Sequence, residues 1–184
     1  GYMKELMNRA IADAKADGAD LMCLGGQRQR YEYFGFSKAC IQRSYILTPN
    51  NRRHWKRIST KGIEFLPLSE SREYAEGCWQ LHQALPIHAK RKIENFAEVC
   101  RSWSCEAWGI RKSGQFLGYC ILNADCTAAA ELLLGDWQEV LPVLFALSEK
   151  TGKDLSVTPF SWQKELNRAL SLVSEAGAIN DGEM

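Results

Sequence analysis

Tyr31 has the most chemistry to offer of any side chain in this sequence, and its neighbours suggest how it is held. The run Leu24-Gly25-Gly26-Gln27-Arg28-Gln29-Arg30-Tyr31-Glu32-Tyr33-Phe34-Gly35-Phe36 leaves an apolar stretch, turns at two glycines and ends at a third. A short polar-aromatic helix over 27–34 fits between those glycines. A phenol titrates near pH 10, so Tyr31 is protonated at neutral pH and can hand its proton to a leaving anion. The plainer reading is that Tyr31, Tyr33, Phe34 and Phe36 form aromatic core around a glycine turn. Spacing alone favours that plainer reading.

The elements that must position this residue come on either side of it. Met3, Leu6, Met7, Ala10, Ile11 and Ala14 recur at helical spacing over 2–17, and Asp17-Gly18 supplies a stop. Ala19 to Leu24 is a short apolar run consistent with a buried parallel strand. After the helix over 27–34, Ser37 to Leu47 alternates as a strand does. The order is helix, strand, glycine turn, tyrosine helix, Gly-Phe, strand.

A second unit starts near Ile63. Ile63 to Leu68 is strand-like. Ser69 or Ser71 then caps a helix to about Leu85, where Pro86 stops it, and another helix covers roughly 89–103. Strands over 106–111 and 115–123 flank the turn Lys112-Ser113-Gly114, and a third runs over 128–134. A helix over 140–150 tolerates Pro142 only in its first turn. A strand over 155–160 and a helix capped by Ser161 follow, with Gly177 as its stop.

The Tyr-Glu-x-Phe-Gly-Phe ending at Tyr31 to Phe36 resembles the Tyr-Glu-x-Leu-Gly-Phe signature of GNAT superfamily N-acetyltransferases. The element order from residue 63, β-α-α-β-β-β-α-β-α, is similar to that of a GNAT domain without its final strands. The chain thus resembles a slice of a tandem-domain GNAT protein. Residues 1–57 match the C-terminal half of one domain, and 58–184 match a second that looks non-catalytic. The fold class this implies is α/β, an α+β mixed sheet of the acyl-CoA N-acyltransferase type.

The resemblance implies acetyl-CoA as co-substrate and a primary amine as acceptor, with Tyr31 as the catalytic acid that protonates the leaving thiolate. It places the cofactor's pyrophosphate at the start of the first helix, on Gly1, Tyr2 and Met3. Free backbone N–H groups and the helix dipole favour an anion there. Gln27, Arg28 and Arg30 are the further cofactor-binding candidates. Gly1 matches a family glycine. Met3 stands where the family has a small residue, and Leu24 where many members carry Asn. In the second unit, Asp136, Trp137 and Glu139 occupy the place of the phosphate loop, and the helix over 163–176 has no tyrosine.

Composition narrows the alternatives. The chain has 184 residues, 46% hydrophobic and 24% charged, with a formal net charge of +1. That is an ordinary globular composition, without the field that gathers nucleic acid or anionic membrane. No apolar run approaches the roughly 20 residues of a membrane span. Seven cysteines without regular spacing point to reduced thiols and a cytoplasmic location. Cys23, Cys100 and Cys120 sit in apolar contexts as small hydrophobes. No metal is expected: His54, His82 and His88 lack ligand spacing, and Glu94, Glu98 and His88 read as a solvated helix face. The run Arg52-Arg53-His54-Trp55-Lys56-Arg57 could touch nucleic acid, but such runs are more often solvated linkers. The tryptophans read as core or interdomain contacts.

The expected partners are therefore a small-molecule or peptide amine, with no nucleic acid and no membrane. The open sheet edge of the second unit leaves a homodimer open. The competing expectation is a non-catalytic interaction module, in which 1–55 supplies the strands that 63–177 lacks.

Overall fold

A computed structural model describes residues 1–38, 41–70 and 72–181; Cys40 and Ser71 lie outside the described residues. The chain divides into two compact units, Gly1–Gln42 with Ile179–Met184, and Arg43–Ala178.

Unit 1 is built on α1 (Tyr2–Ala16), whose stop at Asp17 and Gly18 lies where the sequence puts it. Its apolar stripe is not a core face, because none of its residues is buried. α2 (Arg28–Tyr31) passes into a 3-10 turn over Glu32–Phe34, and Gly35 closes it at φ 88° in the left-handed region that glycine adopts at little cost. The segment 19–24 is not a strand. It takes no place in the sheet order. Leu21 is 77% exposed, and Cys23 is exposed rather than packed as a small hydrophobe.

In unit 2 the sheet runs in the order β2-β3-β4-β5-β6-β1-β7. The strands are β1 (Ile41–Leu47), β2 (Ile63–Pro67), β3 (Glu106–Lys112), β4 (Gln115–Leu122), β5 (Ala128–Leu134), β6 (Leu155–Val157) and β7 (Ala176–Asp181). β1 and β7 cross the boundary between units, and their parts from Arg43 and up to Ala178 belong here. β2 to β5 form an antiparallel meander, and β5 pairs with β6 in parallel through Ala128↔Ser156 and Ala129↔Val157. β3 and β4 turn through Ser113 and Gly114, both at positive φ, as a two-residue hairpin requires.

The final strands expected to be missing are present. Gly177 lies in β7 instead of ending a helix, and β1 pairs antiparallel with β6 through Tyr45↔Val157, Ile46↔Ser156 and Leu47↔Leu155. A strand that has left one neighbour must find another for its backbone groups. For β6, that neighbour comes from a segment far earlier in the chain.

The helices of unit 2 are α3 (Arg72–Gln83), α4 (Phe96–Cys100), α5 (Val140–Thr151) and α6 (Lys164–Val173). Strand alternation sorts side chains onto the two sheet faces. Cys120, Leu122, Leu132 and Leu134 pack with α5 and α6. Tyr119, Ile121 and Leu133 pack with Cys78, Phe96 and Cys100 of α3 and α4. The helix expected over 89–103 is shorter, with 3-10 turns on both sides of α4. There Trp103 takes φ 60° and is 95% exposed, so it is not core. α6 begins after Gln163, not at Ser161, because the Gln163 side chain takes up the Phe160 N–H (2.9 Å). None of the helices among the described residues is long and apolar enough to cross a membrane.

Candidate functional site

In unit 1 the opening turn of α1 is exposed. Gly1 is its N-cap, and no side chain caps the helix. A Cβ built on Gly1 would meet nothing within 4 Å, so backbone approach is unobstructed. Gly1 O accepts from Lys4 N at 2.9 Å. Tyr2, 85% exposed, and Met3 leave their backbone amides at the dipole's positive end.

Tyr31 ends α2, half-buried. A Cβ on Gly26 (φ +149°) would lie 2.6 Å from its Cε2, so only glycine lets the turn close over this ring. Phe36 meets the ring edge-on at 6.4 Å between centroids. Gln27 and Arg30 are exposed, and Gln27 O accepts from Arg30 N at 2.9 Å. The side chain of Arg28 lies outside the described residues. Lys4 Nζ stands 4.4 Å from the centroid of Tyr33. That contact brings the first turn of α1 to the tyrosine helix, a cation–π geometry worth about 0.5–1 kcal/mol when exposed.

In unit 2 the two carboxylates expected at the place of a phosphate loop have partners within the unit. Asp136 accepts from the Gln138 N–H at 2.9 Å where the chain enters α5. Glu139 receives the Lys112 ammonium on both oxygens at 2.7 Å. β5 and β6 part after Ala129, and Gln163 bridges the gap by donating to Leu132 O at 3.0 Å. The basic run is similarly committed at its start. Arg52 donates to Glu149 (2.8 Å) and to the Trp55 and Ile58 carbonyls.

Beside that gap lies a cluster that sequence reasoning missed. Glu131 of β5 accepts two hydrogen bonds from Arg91 and one, at 2.8 Å, from the Tyr119 hydroxyl. Burial works against the Arg91 charge, but the hydrogen bonds and charge of Glu131 outweigh it and raise its pKa. Burial, and then Glu131, raise that of Tyr119. Burial pushes the Cys100 thiol up to about 12. Trp79 Nε1 donates to Arg91 O and His82 Nε2 to Ala89 O, both at 2.9 Å, which ties the 85–91 loop to α3. Burial is the largest cause lowering the pKa of His82. The one available signal was Glu131 itself, a lone carboxylate in the apolar strand AAAELLL. Its partner Arg91 comes from an irregular loop that no periodicity places.

No protein-family model and no curated protein matches the sequence. Solved structures do match. Over 99% of its length the chain is similar to 48% of a conserved Enterococcus faecalis V583 protein described as a probable N-acyltransferase, with TM-score 0.66 and 16% identity. Over 98% it is similar to 46% of a GCN5-related N-acetyltransferase from Kribbella flavida, with TM-score 0.56 and 12% identity. Over 96% it is similar to 78% of a conserved Staphylococcus epidermidis protein of unknown function, with TM-score 0.51 and 9% identity. The chain spans about half the length of the first two. At these identities the likeness is one of fold, and that fold is the mixed α/β architecture of the GCN5-related N-acetyltransferases.

Proposed function

We propose that this chain is part of an N-acetyltransferase that carries an acetyl group from acetyl-CoA to a primary amine. The observation that carries the reading is the Lys4–Tyr33 contact, which sets the opening turn of α1 beside the tyrosine helix. The chemistry of that turn fits a pyrophosphate. It offers uncapped amides, an unobstructed glycine and the Lys4 ammonium, which offsets Glu5 in the same turn. Gln27, Arg28 and Arg30 are the further groups proposed to reach the cofactor.

In the transfer step the neutral amine attacks the thioester carbonyl. A nitrogen–carbon bond forms, the carbon–sulfur bond breaks, and Tyr31 gives its phenolic proton to the sulfur. The amine's surplus proton goes to a base or to solvent. Unit 2 is proposed to be non-catalytic. Its carboxylates Asp136 and Glu139 hold the phosphate position, where one carboxylate about 4 Å from a phosphate charge repels by roughly 4 kcal/mol before screening.

A second reading, a non-catalytic interaction module, draws on the pairing of β1 with β6, which gives unit 2 a sheet completed by an earlier segment. Thiol release from acetyl-CoA, assayed over a panel of primary amines, separates the two. Transfer activity supports the enzyme, and Tyr31→Phe should then lower kcat by ~10²–10⁴-fold with the KM for acetyl-CoA nearly unchanged. A Tyr31→Phe variant with wild-type kcat would remove the assigned role. No release with any amine would favour the module.

A further inference from the structure

Among the described residues of unit 2, Trp103 is the most exposed large hydrophobic side chain, at 95%. The other five tryptophans are all partly buried. The backbone that carries it is unusual as well. Trp103 and Ser104 both take the left-handed region, at φ 60° and 59°, where the chain passes from α4 to β3. Two successive non-glycine residues in that region are strained. An indole this exposed returns almost no packing to the fold in exchange.

The residue before it, Ser102, lines an open groove of about 580 Å³ formed with Ser69 and the outer side of α4. Glu94 and Glu98 stand exposed on the groove wall, and the exposed Glu70 follows Ser69. None of these three carboxylates is in an ion pair among the described residues. Arg101 is the one cation among the described lining residues. A chain of formal net charge +1 thus gathers unpaired negative charge next to its most exposed indole.

Carboxylates alone suit any cation, and an indole alone suits any apolar surface. Side by side they favour a guanidinium, which is planar, stacks on an aromatic face and carries N–H groups that match a carboxylate. Exposed tryptophans are also the side chains most often found anchoring protein contacts. We infer that this face docks an extended, arginine-bearing peptide segment of a partner protein, with one guanidinium on the Trp103 ring and another toward Glu94 and Glu98. The inference does not depend on the activity proposed for unit 1.

A fluorescein-labelled octapeptide of alternating serine and arginine, titrated into the whole chain by fluorescence anisotropy, tests this, with glutamine in place of arginine as the neutral control. The arginine peptide should bind and the control should not. Trp103→Gly should weaken binding about tenfold or more, the effect of losing an anchoring aromatic. Glycine suits φ 60°, so that variant should keep its Tm. Trp103→Phe should retain part of the affinity. Glu94→Gln with Glu98→Gln should weaken binding roughly two- to tenfold and flatten its salt dependence, while Arg101→Gln should tighten it. Equal binding of the neutral peptide, undiminished binding to Trp103→Gly, or no binding at millimolar peptide would overturn the inference. So would self-association of the chain that Trp103→Gly abolishes, which would seat a second copy on this face instead.

Discussion

Removing Glu131 should cost unit 2 a large part of its stability, because two partners are stranded at once. In Glu131→Ala, Arg91 keeps its charge with only 17% of its side chain exposed, and the hydroxyl of the fully buried Tyr119 loses its acceptor. Breaking a buried ion pair from one side costs about 3–5 kcal/mol, and the residual exposure of this pair moves it to the low end. An orphaned hydroxyl adds about 1–3 kcal/mol. Since the terms share a carboxylate and do not add fully, the expected loss is about 3–5 kcal/mol. At roughly 2–4 °C per kcal/mol for a chain of this size, Tm should fall by about 6–20 °C. Glu131→Gln retains an acceptor for Tyr119 and should lose about 1–2 kcal/mol. The double variant Glu131→Ala with Arg91→Met removes the stranded charge and should be more stable than Glu131→Ala alone. Urea and thermal unfolding with an unchanged m-value measure all three. The reasoning is refuted if Glu131→Ala unfolds within about 1 kcal/mol of the native chain, or if the double variant is merely additive.

Three further outcomes follow from the same geometry. Gly26→Ala should displace the Tyr31 ring, with strain on the order of 1–3 kcal/mol at its positive φ, and hydrogen exchange over 24–36 should rise; unchanged exchange would contradict the close contact. Cys23, which is exposed, should alkylate in the folded chain, whereas Cys120, with a thiol pushed up to about 12 by burial, should react only after unfolding, as mass spectrometry of maleimide adducts would show. His82 has a folded pKa below its unfolded value, so the unfolded state binds more protons as pH falls below about 6.5, and its contribution to stability is lost on acidification. Unfolding curves from pH 7 to 5 should lose that dependence in His82→Phe.

What could be read from the sequence was what local rules decide. The stop of α1 at Asp17-Gly18, the glycine that ends the tyrosine turn, the Ser113-Gly114 hairpin and the full extent of β5 all follow from turn chemistry and alternation. The segment 19–24 misled because apolar content marks a buried strand only when a neighbour exists to pair with it. The place of β1 beside β6 was invisible for a related reason: pairing between residues over a hundred positions apart leaves no local pattern. On the candidate site, spacing alone read Tyr31 as aromatic core and only the family resemblance singled it out, while the Arg91–Glu131–Tyr119 cluster is assembled from a loop and two strands.

Calorimetric titration of the chain with acetyl-CoA, repeated on Tyr31→Phe, tests the central claim most directly. The account predicts binding near micromolar for both proteins, because the α1 turn holds the phosphates and the phenol serves only the proton transfer. Absence of heat with either protein would contradict it, and would leave unit 1 as a scaffold with no cofactor to place.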